Sequence, residues 1–412
     1  MKYVESYQTM KQLLLLFCSI AMLLGCSSDE EEEREGLFQR TVLIYISGEN
    51  NLSSFLRDEI AQMKTGSKGI GNNALVIYVD DNNAQQLPYV ARLKEGKTVD
   101  SVALFHEDVL SSDPKNMAQV LQYVSTHYPA NDYGLVLWGH ATGWFMEDSV
   151  VYAASRRQAY GIDDGKNNPN NTNYRRWMNM YSLAKTLEAW QQPLHFIFAD
   201  CCHFQCIESA YELRNVTNYL IGSPAEIPGD GAPYHTLTKH LFDTTDEFYK
   251  SIADTYFSQT INGYHVPLSV ISTKHLEQLA WATGKALSSL GWTGDGCPDL
   301  RGLIHYNGKE KNEVMYDMNA IMQEYLPEVS EEAYKEWRMA FDSVVVYKKY
   351  ASRWMTNQLI DFNSFQMSEE AYGGVSMFVP QRRTTPSNYA KYNNMIEKTS
   401  WYWAARLNEL GW

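Results

Sequence analysis

Short, almost unbroken apolar runs separated by helical stretches constrain this chain more than any other feature. Thr41–Ser47 (TVLIYIS), Ala74–Val79 (ALVIYV), Gly134–Trp138 (GLVLW) and Leu194–Ala199 (LHFIFA) place apolar residues at consecutive positions, not at alternate ones. Strands read this way when both faces are covered, as in a parallel sheet sandwiched between helices. The text between them suits helices at Ser53–Lys64, from a cap at Asp113 to Tyr123, at Tyr181–Trp190 and at Phe204–Leu213. Tyr89–Leu93 and Ser101–Phe105 read as a hairpin pair, and Tyr219–Ile221 and Leu268–Ser272 as further strands. Beyond Pro233 the pattern turns helical, at His235–Phe242, Asp246–Thr260, Leu276–Leu290, Glu313–Tyr325 and Glu331–Lys348, with Gly374–Val379 as a last strand. The expected organisation is an α/β domain over residues 41–296 and a mostly helical region over 297–412 packed on it. Gly291–Gly302, rich in Gly, Asp and Pro, is the boundary.

The amino terminus reads differently. Leu13–Leu24 (LLLLFCSIAMLL) is an apolar core preceded by Lys11 and followed by Gly25-Cys26, the layout of an export signal over residues 1–25. At twelve residues it is too short to span a bilayer as a helix, which excludes a polytopic membrane protein. Leu23-Leu24-Gly25-Cys26 resembles the lipobox of bacterial lipoproteins, and this implies cleavage before Cys26, lipidation of Cys26 and an outer-membrane location. Asp29–Glu35 (DEEEERE) repels itself and has nothing to bury, so residues 26–40 read as an acidic tether. The run is similar to signals that send lipoproteins to the outer surface, and a plain spacer fits it equally. The net charge of −14 argues against a protein that grips nucleic-acid phosphates.

Two of the apolar strands end in reactive residues. Gly134–Trp138 runs into Gly139-His140-Ala141-Thr142, and Leu194–Ala199 into Asp200-Cys201-Cys202-His203. In open parallel sheets functional groups collect beyond the carboxyl ends of the strands, so neighbouring strands here would set a thiol against an imidazole, the pair that acyl transfer needs. Cys202 is expected to open the turn into the next helix, where amide N–H groups lower a thiol's pKa. Cys206 is expected about one turn inside that helix. Cys201, Cys202, His203 and Cys206 are also possible soft metal ligands, but adjacent residues do not converge easily on one ion and no second cluster completes the set, so no metal site is assigned. A Cys as a small core hydrophobe and a His merely satisfied by hydrogen bonds are the alternatives.

At Leu135–Trp144 (LVLWGHATGW), Phe198–Leu213 (FADCCHFQCIESAYEL) and Leu220–Tyr234 (LIGSPAEIPGDGAPY) the chain resembles the clostripain family of cysteine peptidases, relatives of gingipains and legumains with a caspase-like fold. The resemblance implies an α/β sandwich with a mostly parallel central sheet, helices on both faces and a mainly helical C-terminal extension. It implies a cysteine endopeptidase acting on peptides or proteins after Arg or Lys. In that reading His140 is the catalytic histidine and Cys202 the nucleophile. The backbone N–H groups of Ala141 and Cys202 form the oxyanion hole, and Asp200 and Asp230 face a basic P1 side chain. The family usually has Gly where this chain has Ala141, which bears on the oxyanion geometry. Maturation by self-cleavage is implied in the polar, Asn-rich stretch between the two reactive strands, with Arg156, Arg157, Lys166, Arg175 and Arg176 as candidates. No cofactor is required; calcium is used by some members, and nothing in this sequence decides it. A catalytically silent binding lipoprotein on the same fold is the alternative function.

Overall fold

The computed structural model describes residues 37–144, 159–167, 176–260, 263–293, 297–298, 300, 302–307, 315–357, 361–364, 368–380, 392 and 394–412. The expected leader, Cys26, the acidic run, and Arg156, Arg157 and Arg175 lie outside them. Leu37–Trp412 forms one compact unit, with residues from both sides of the boundary expected near 296.

Its centre is a nine-stranded sheet. In chain order the strands are β1 (Phe38–Gly48), β2 (Ala74–Asp81), β3 (Tyr89–Lys94), β4 (Lys97–Ala103) and β5 (Ala130–Trp138). A small hairpin of β6 (Ala159–Asp163) and β7 (Arg176–Asn179) stands apart from the sheet, which continues with β8 (Leu194–Asp200), β9 (Tyr219–Gly222) and β10 (Leu268–Ser272). The spatial order is completed by a late strand, Val345–Lys349, and runs Val345–Lys349, β10, β9, β8, β5, β1, β2, β3, β4. From β9 to β2 all neighbours are parallel, whereas β3, β4, β10 and the late strand add antiparallel edges. The chain leaves β1 toward β2 on one side and later fills β5, β8 and β9 on the other. The carboxyl ends of β1 and β5 therefore flank a topological switch point, where open α/β sheets place their ligands.

The apolar runs behave as consecutive burial predicts. Along β1, Leu43 and Tyr45 enter one core layer while Val42, Ile44 and Ile46 enter the other. Helices cover both faces: α1 (Leu56–Gly66) and the later Phe248–Ser258 on one, α2 (Pro114–His127) and α3 (Met180–Trp190) on the other. Asp113 caps α2 through a bond to the Lys115 amide, as its position before Pro114 suggested. No helix among the described residues is long and apolar enough to cross a membrane.

Several expected elements change. The tether ends earlier than residue 40, because β1 already starts at Phe38. The helix expected over Phe204–Leu213 covers only Ile207–Glu212 (α4), because Gln205 is extended: its amide donates to Ser223 O, and its carbonyl accepts from the Ser376 amide. The helix expected over Glu331–Lys348 stops at Val344, and the chain from the β-branched pair Val345-Val346 onward pairs with β10 instead. Of Gly374–Val379 only Ser376–Met377 forms a strand, outside the main sheet and paired with Tyr316–Asp317. Asp317 Oδ2 captures the amides of Gly373 and Gly374 at 2.9 and 3.0 Å and holds a turn in front of it.

Candidate active site

A cavity of about 500 Å³ opens over the carboxyl ends of β1, β5 and β8, and Asn51, His140, Asp200 and Cys202 line it. Register brings them there: Ile46 of β1 lies beside Trp138 of β5, which lies beside Asp200 of β8. Each chain then turns sharply outward. Gly139 adopts φ 147°, and a Cβ at this position would stand 2.9 Å from the Ser47 carbonyl oxygen, so only glycine serves as the hinge before His140. Ala141, the departure from the family pattern, is not among the residues with positive φ, and its Cβ is accommodated without backbone strain.

The three neighbouring cysteines are sorted by the strand end. Cys201 is fully buried in one core layer, and Cys206 is buried with its thiol 3.1 Å from Ser209 Oγ. Cys202, half-buried, turns to the opposite layer and into the cavity. Cys202 does not open a helix: α4 begins five residues later, and Cys206, not an interior residue, stands at its N-cap. The expected helix-terminal lowering of the thiol pKa is therefore replaced by the reverse. Burial, with the Glu226 carboxylate nearby, pushes the Cys202 thiol up to about 12, opposed by the Ile227 N–H, which donates to Sγ at 3.4 Å. His203, next in sequence, sits at φ 53° and is tied into the cavity wall by the Pro224 carbonyl, 3.1 Å from Nδ1, with Glu226 Oε1 3.8 Å from Nε2.

His140 Nε2 lies 2.7 Å from Asn51 Oδ1. An amide oxygen only accepts, so the ring nitrogen donates and the tautomer is set as Nε2–H. Asn51 was not anticipated from sequence, although its place just past the end of β1 matches that of His140 and Cys202 past β5 and β8.

The floor of the cavity is acidic. Asp200 Oδ2 accepts from the Ala232 amide at 3.0 Å and the Tyr234 hydroxyl at 2.9 Å, and Oδ1 from the Tyr256 hydroxyl at 3.0 Å. Burial pushes this carboxyl up while the three bonds pull it down. Gly231, at φ 58°, is the close neighbour: a Cβ there would meet Asp200 Oδ2 at 2.9 Å. Behind it Glu59 is 2% exposed, and its Oε2 has no hydrogen-bond partner among the described residues. Burial, followed by Asp200 and Asp230, pushes Glu59 up to about 9. Asp230 itself is exposed and outside the cavity lining. Glu59 was missed because it occupies the buried stripe of α1, Leu56, Glu59, Met63, Gly66, where a carboxylate reads as an interruption. Met355 and Asn307, from the region expected to pack on the core as a mostly helical extension, also line the cavity.

Among the described residues, two of the processing candidates, Lys166 and Arg176, lie at the β6–β7 hairpin. Lys166 is exposed and pairs with Asp164 at 3.4 Å, and Arg176 is half-buried at the start of β7. Among the described residues the cysteine–histidine stretch brings no three metal-ligating atoms together; three carboxylates elsewhere, Glu49, Asp80 and Asp108, do.

The sequence profile of the clostripain family matches residues 44–410. A secreted C11 cysteine protease from Bacteroides thetaiotaomicron, solved in complex with an irreversible peptide inhibitor, is 26% identical, with a TM-score of 0.72 over 90% of this chain and 99% of that one. An inactive zymogen C11 protease from Parabacteroides distasonis is also 26% identical, with a TM-score of 0.72 over 90% and 98%. A B. fragilis cysteine protease is 30% identical over 59% of this chain and 98% of its own, with a TM-score of 0.50. No curated protein matches at a significant level.

Proposed function

The chain belongs to the clostripain family of cysteine peptidases, and from that membership we propose that it is an endopeptidase that cuts after Arg or Lys, with Cys202 as nucleophile and His140 as general acid–base. The observation that carries the reading is the shared cavity. It joins one thiol, one oriented imidazole and a buried acidic floor, supplied by adjacent strand ends.

A P1 guanidinium or ammonium enters toward Asp200, with Glu59 behind it and Asp230 in the turn above. The charges acting on Glu59 are all acidic, so a cation relieves a repulsion that the free protein holds by keeping a proton. The scissile carbonyl then meets Cys202. The thiol rests protonated, so attack is coupled to proton transfer. Because Nε2–H is committed to Asn51, Nδ1 of His140 takes the proton as the S–C bond forms and the carbonyl π pair moves to oxygen. The amides of Cys202 and Ala141 hold that oxyanion; the bridge to Tyr160 leaves the Ala141 amide aside, running instead from the Gly161 N–H to the His140 carbonyl at 2.8 Å. The imidazolium returns its proton to the leaving amine as the C–N bond breaks. Water deprotonated by His140 then hydrolyses the thioester.

Maturation by a cut after Arg156, Arg157, Lys166, Arg175 or Arg176 belongs to the same proposal, supported by the polar interval that holds them and by a relative described as an inactive zymogen. So does a lipid anchor at Cys26 in the outer membrane, supported by the Leu23-Leu24-Gly25-Cys26 motif. A peptide-library digest tests the activity: the wild type is expected to cut after Arg or Lys, and Cys202→Ala to show no cleavage above background. Wild-type-level cleavage by the variant rules out the nucleophile, and cuts without a basic P1 residue rule out the pocket.

A further inference from the structure

The pole of the sheet opposite the peptidase cavity carries a group of lysines that the proposed mechanism does not use. β1 runs from Phe38 to Gly48, so its amino end stands roughly 33 Å from the carboxyl end that borders the cavity. At that amino end Asn72 Nδ2 donates to the Leu37 carbonyl at 3.4 Å, and the Asn72 carbonyl accepts from the Gln39 amide at 2.9 Å. Lys68 lies just before Asn72 in the chain, and a Cβ on Gly96 would meet its Cε at 2.8 Å. Glu95 and Gly96 form the β3–β4 turn, flanked by Lys94 and Lys97, which pair across the ladder. The turn is pinned beside the end of α1: the Gly96 amide donates to Ser67 Oγ at 3.0 Å, and the Gly69 amide to Glu95 Oε1 at 3.1 Å. Lys64 stands in the last turn of α1. Lys68, Lys94 and Lys97 are exposed and Lys64 is half-buried.

We propose that Lys64, Lys68, Lys94 and Lys97 rest on the anionic phospholipid headgroups of the membrane that carries the protein, so that the cavity opens away from that membrane. The proposal rests on the lipid anchor at Cys26. Residues 27–36 separate Cys26 from Leu37 and span at most about 35 Å when extended, which keeps the pole that receives them close to the lipid surface. A cluster of lysines stands out in a chain whose net charge is −14. The cavity end has the opposite sign: Asp81 closes β2, Asp163 closes β6, Asp200 closes β8, and Asp230 is exposed in the turn above. An anionic surface therefore attracts one pole of the sheet and repels the other. The acidic run before Leu37 is repelled as well, so the attraction comes from the lysines. Each lysine of such a cluster strengthens binding to an anionic bilayer by about fivefold, through an interaction that fades beyond the Debye length.

The orientation has a consequence for what the peptidase reaches. With the lysine pole on the headgroups, His140, Cys202 and Asp200 face the medium across the full length of β1. The substrates are then proteins that approach from the medium, not segments lying in the bilayer, and the acidic floor of the cavity stays clear of like-charged lipid.

Lysine footprinting tests the proposal. The lipidated full chain is placed on vesicles of phosphatidylcholine alone and on vesicles with about one third phosphatidylglycerol, then treated with a water-soluble acetylating reagent and read by mass spectrometry. Lys68 and Lys97 are expected to react about threefold or more slowly on the anionic vesicles and to recover at high salt, while Lys115 and Lys166, at the cavity end, react alike on both. Lys68→Glu combined with Lys97→Glu is expected to lower co-sedimentation of the unlipidated Cys26→Ser chain with anionic vesicles by about tenfold or more, while hydrolysis of a soluble Lys ester stays at the wild-type rate. The proposal is overturned if Lys68 and Lys97 react equally on the two vesicles, or if Lys115 and Lys166 are the ones protected. Protection without any vesicles assigns the lysines to another part of the chain, and protection by dextran sulfate alone assigns them to a soluble polyanion; either result overturns it too. The anchor is read separately, from the mass of the amino-terminal peptide. An unacylated Cys26 overturns the lipoprotein reading, and co-sedimentation of the Cys26→Ser chain then decides the lysine surface alone.

Discussion

At the scale of single residues, the proposed chemistry rests on groups whose proton positions are set by their neighbours. Asn51 Oδ1 fixes the His140 tautomer, so Asn51→Ala is expected to leave KM nearly unchanged and lower kcat by about 10²-fold. Steady-state kinetics on a Lys or Arg ester checks this; a change confined to KM assigns Asn51 to substrate contact instead. Glu59 gives a prediction with two signs. Its carboxyl is raised from the ordinary value near 4.5 to about 9, so the folded chain holds a proton that the unfolded chain releases above pH 4.5. Stability contributed by this group is therefore lost as pH rises from about 4.5 to about 9, and is fully present only below that window. Glu59→Gln is expected to raise the unfolding midpoint increasingly from pH 5 to 9, while lowering kcat/KM for basic P1 substrates. Parallel melts and kinetics across that range check both signs, and a variant that melts lower at pH 8 contradicts the burial argument. His140, Cys202 and Asp200 were legible in the sequence because each follows a recognisable apolar strand. Asn51 and Glu59 were not, since one lies in an ordinary polar turn and the other inside a helix whose buried stripe is visible only once its neighbour is known.

At the scale of elements, consecutive apolar residues identified the central strands and their order of appearance, but not which edges run antiparallel. Leu268–Ser272 was read at its observed bounds, yet it runs antiparallel both to β9 and to Val345–Lys349, a segment that reads as the end of a helix until a sheet edge is available to it. Propensity yields here to tertiary pairing. The same competition removed the helix start expected at Phe204, where Gln205 joins the Ser223 and Ser376 backbone. The strand-to-loop hinges are the most demanding local features. Gly139→Ala is expected to cost about 1–3 kcal/mol and to reduce activity sharply, because φ 147° and the 2.9 Å approach to Ser47 O leave a Cβ no room. Ala141→Gly is expected to leave activity near the wild-type level. Chemical denaturation and initial rates for the two variants provide the check; equal behaviour of both would show that His140 does not depend on the hinge.

At the scale of the whole molecule, the two halves expected from sequence share their work. The late strand closes one edge of the sheet, and Asn307 and Met355 wall the cavity whose other side comes from β1, β5 and β8. Fold class and family were legible because a few strand ends carry the motif, whereas the contribution of the C-terminal region was not, because its cavity residues are ordinary in type and distant in sequence. The central claim is that one groove holds a nucleophilic thiol facing an acidic P1 pocket. Mass spectrometry of the intact chain after reaction with an acyloxymethyl ketone bearing Lys or Arg at P1 tests it most directly. The account predicts one adduct, located on Cys202, lost in Cys202→Ala and outcompeted by a basic-P1 peptide but not by an acidic one; an adduct on Cys201, Cys206 or Cys297, or equal labelling by a probe with Asp at P1, contradicts it.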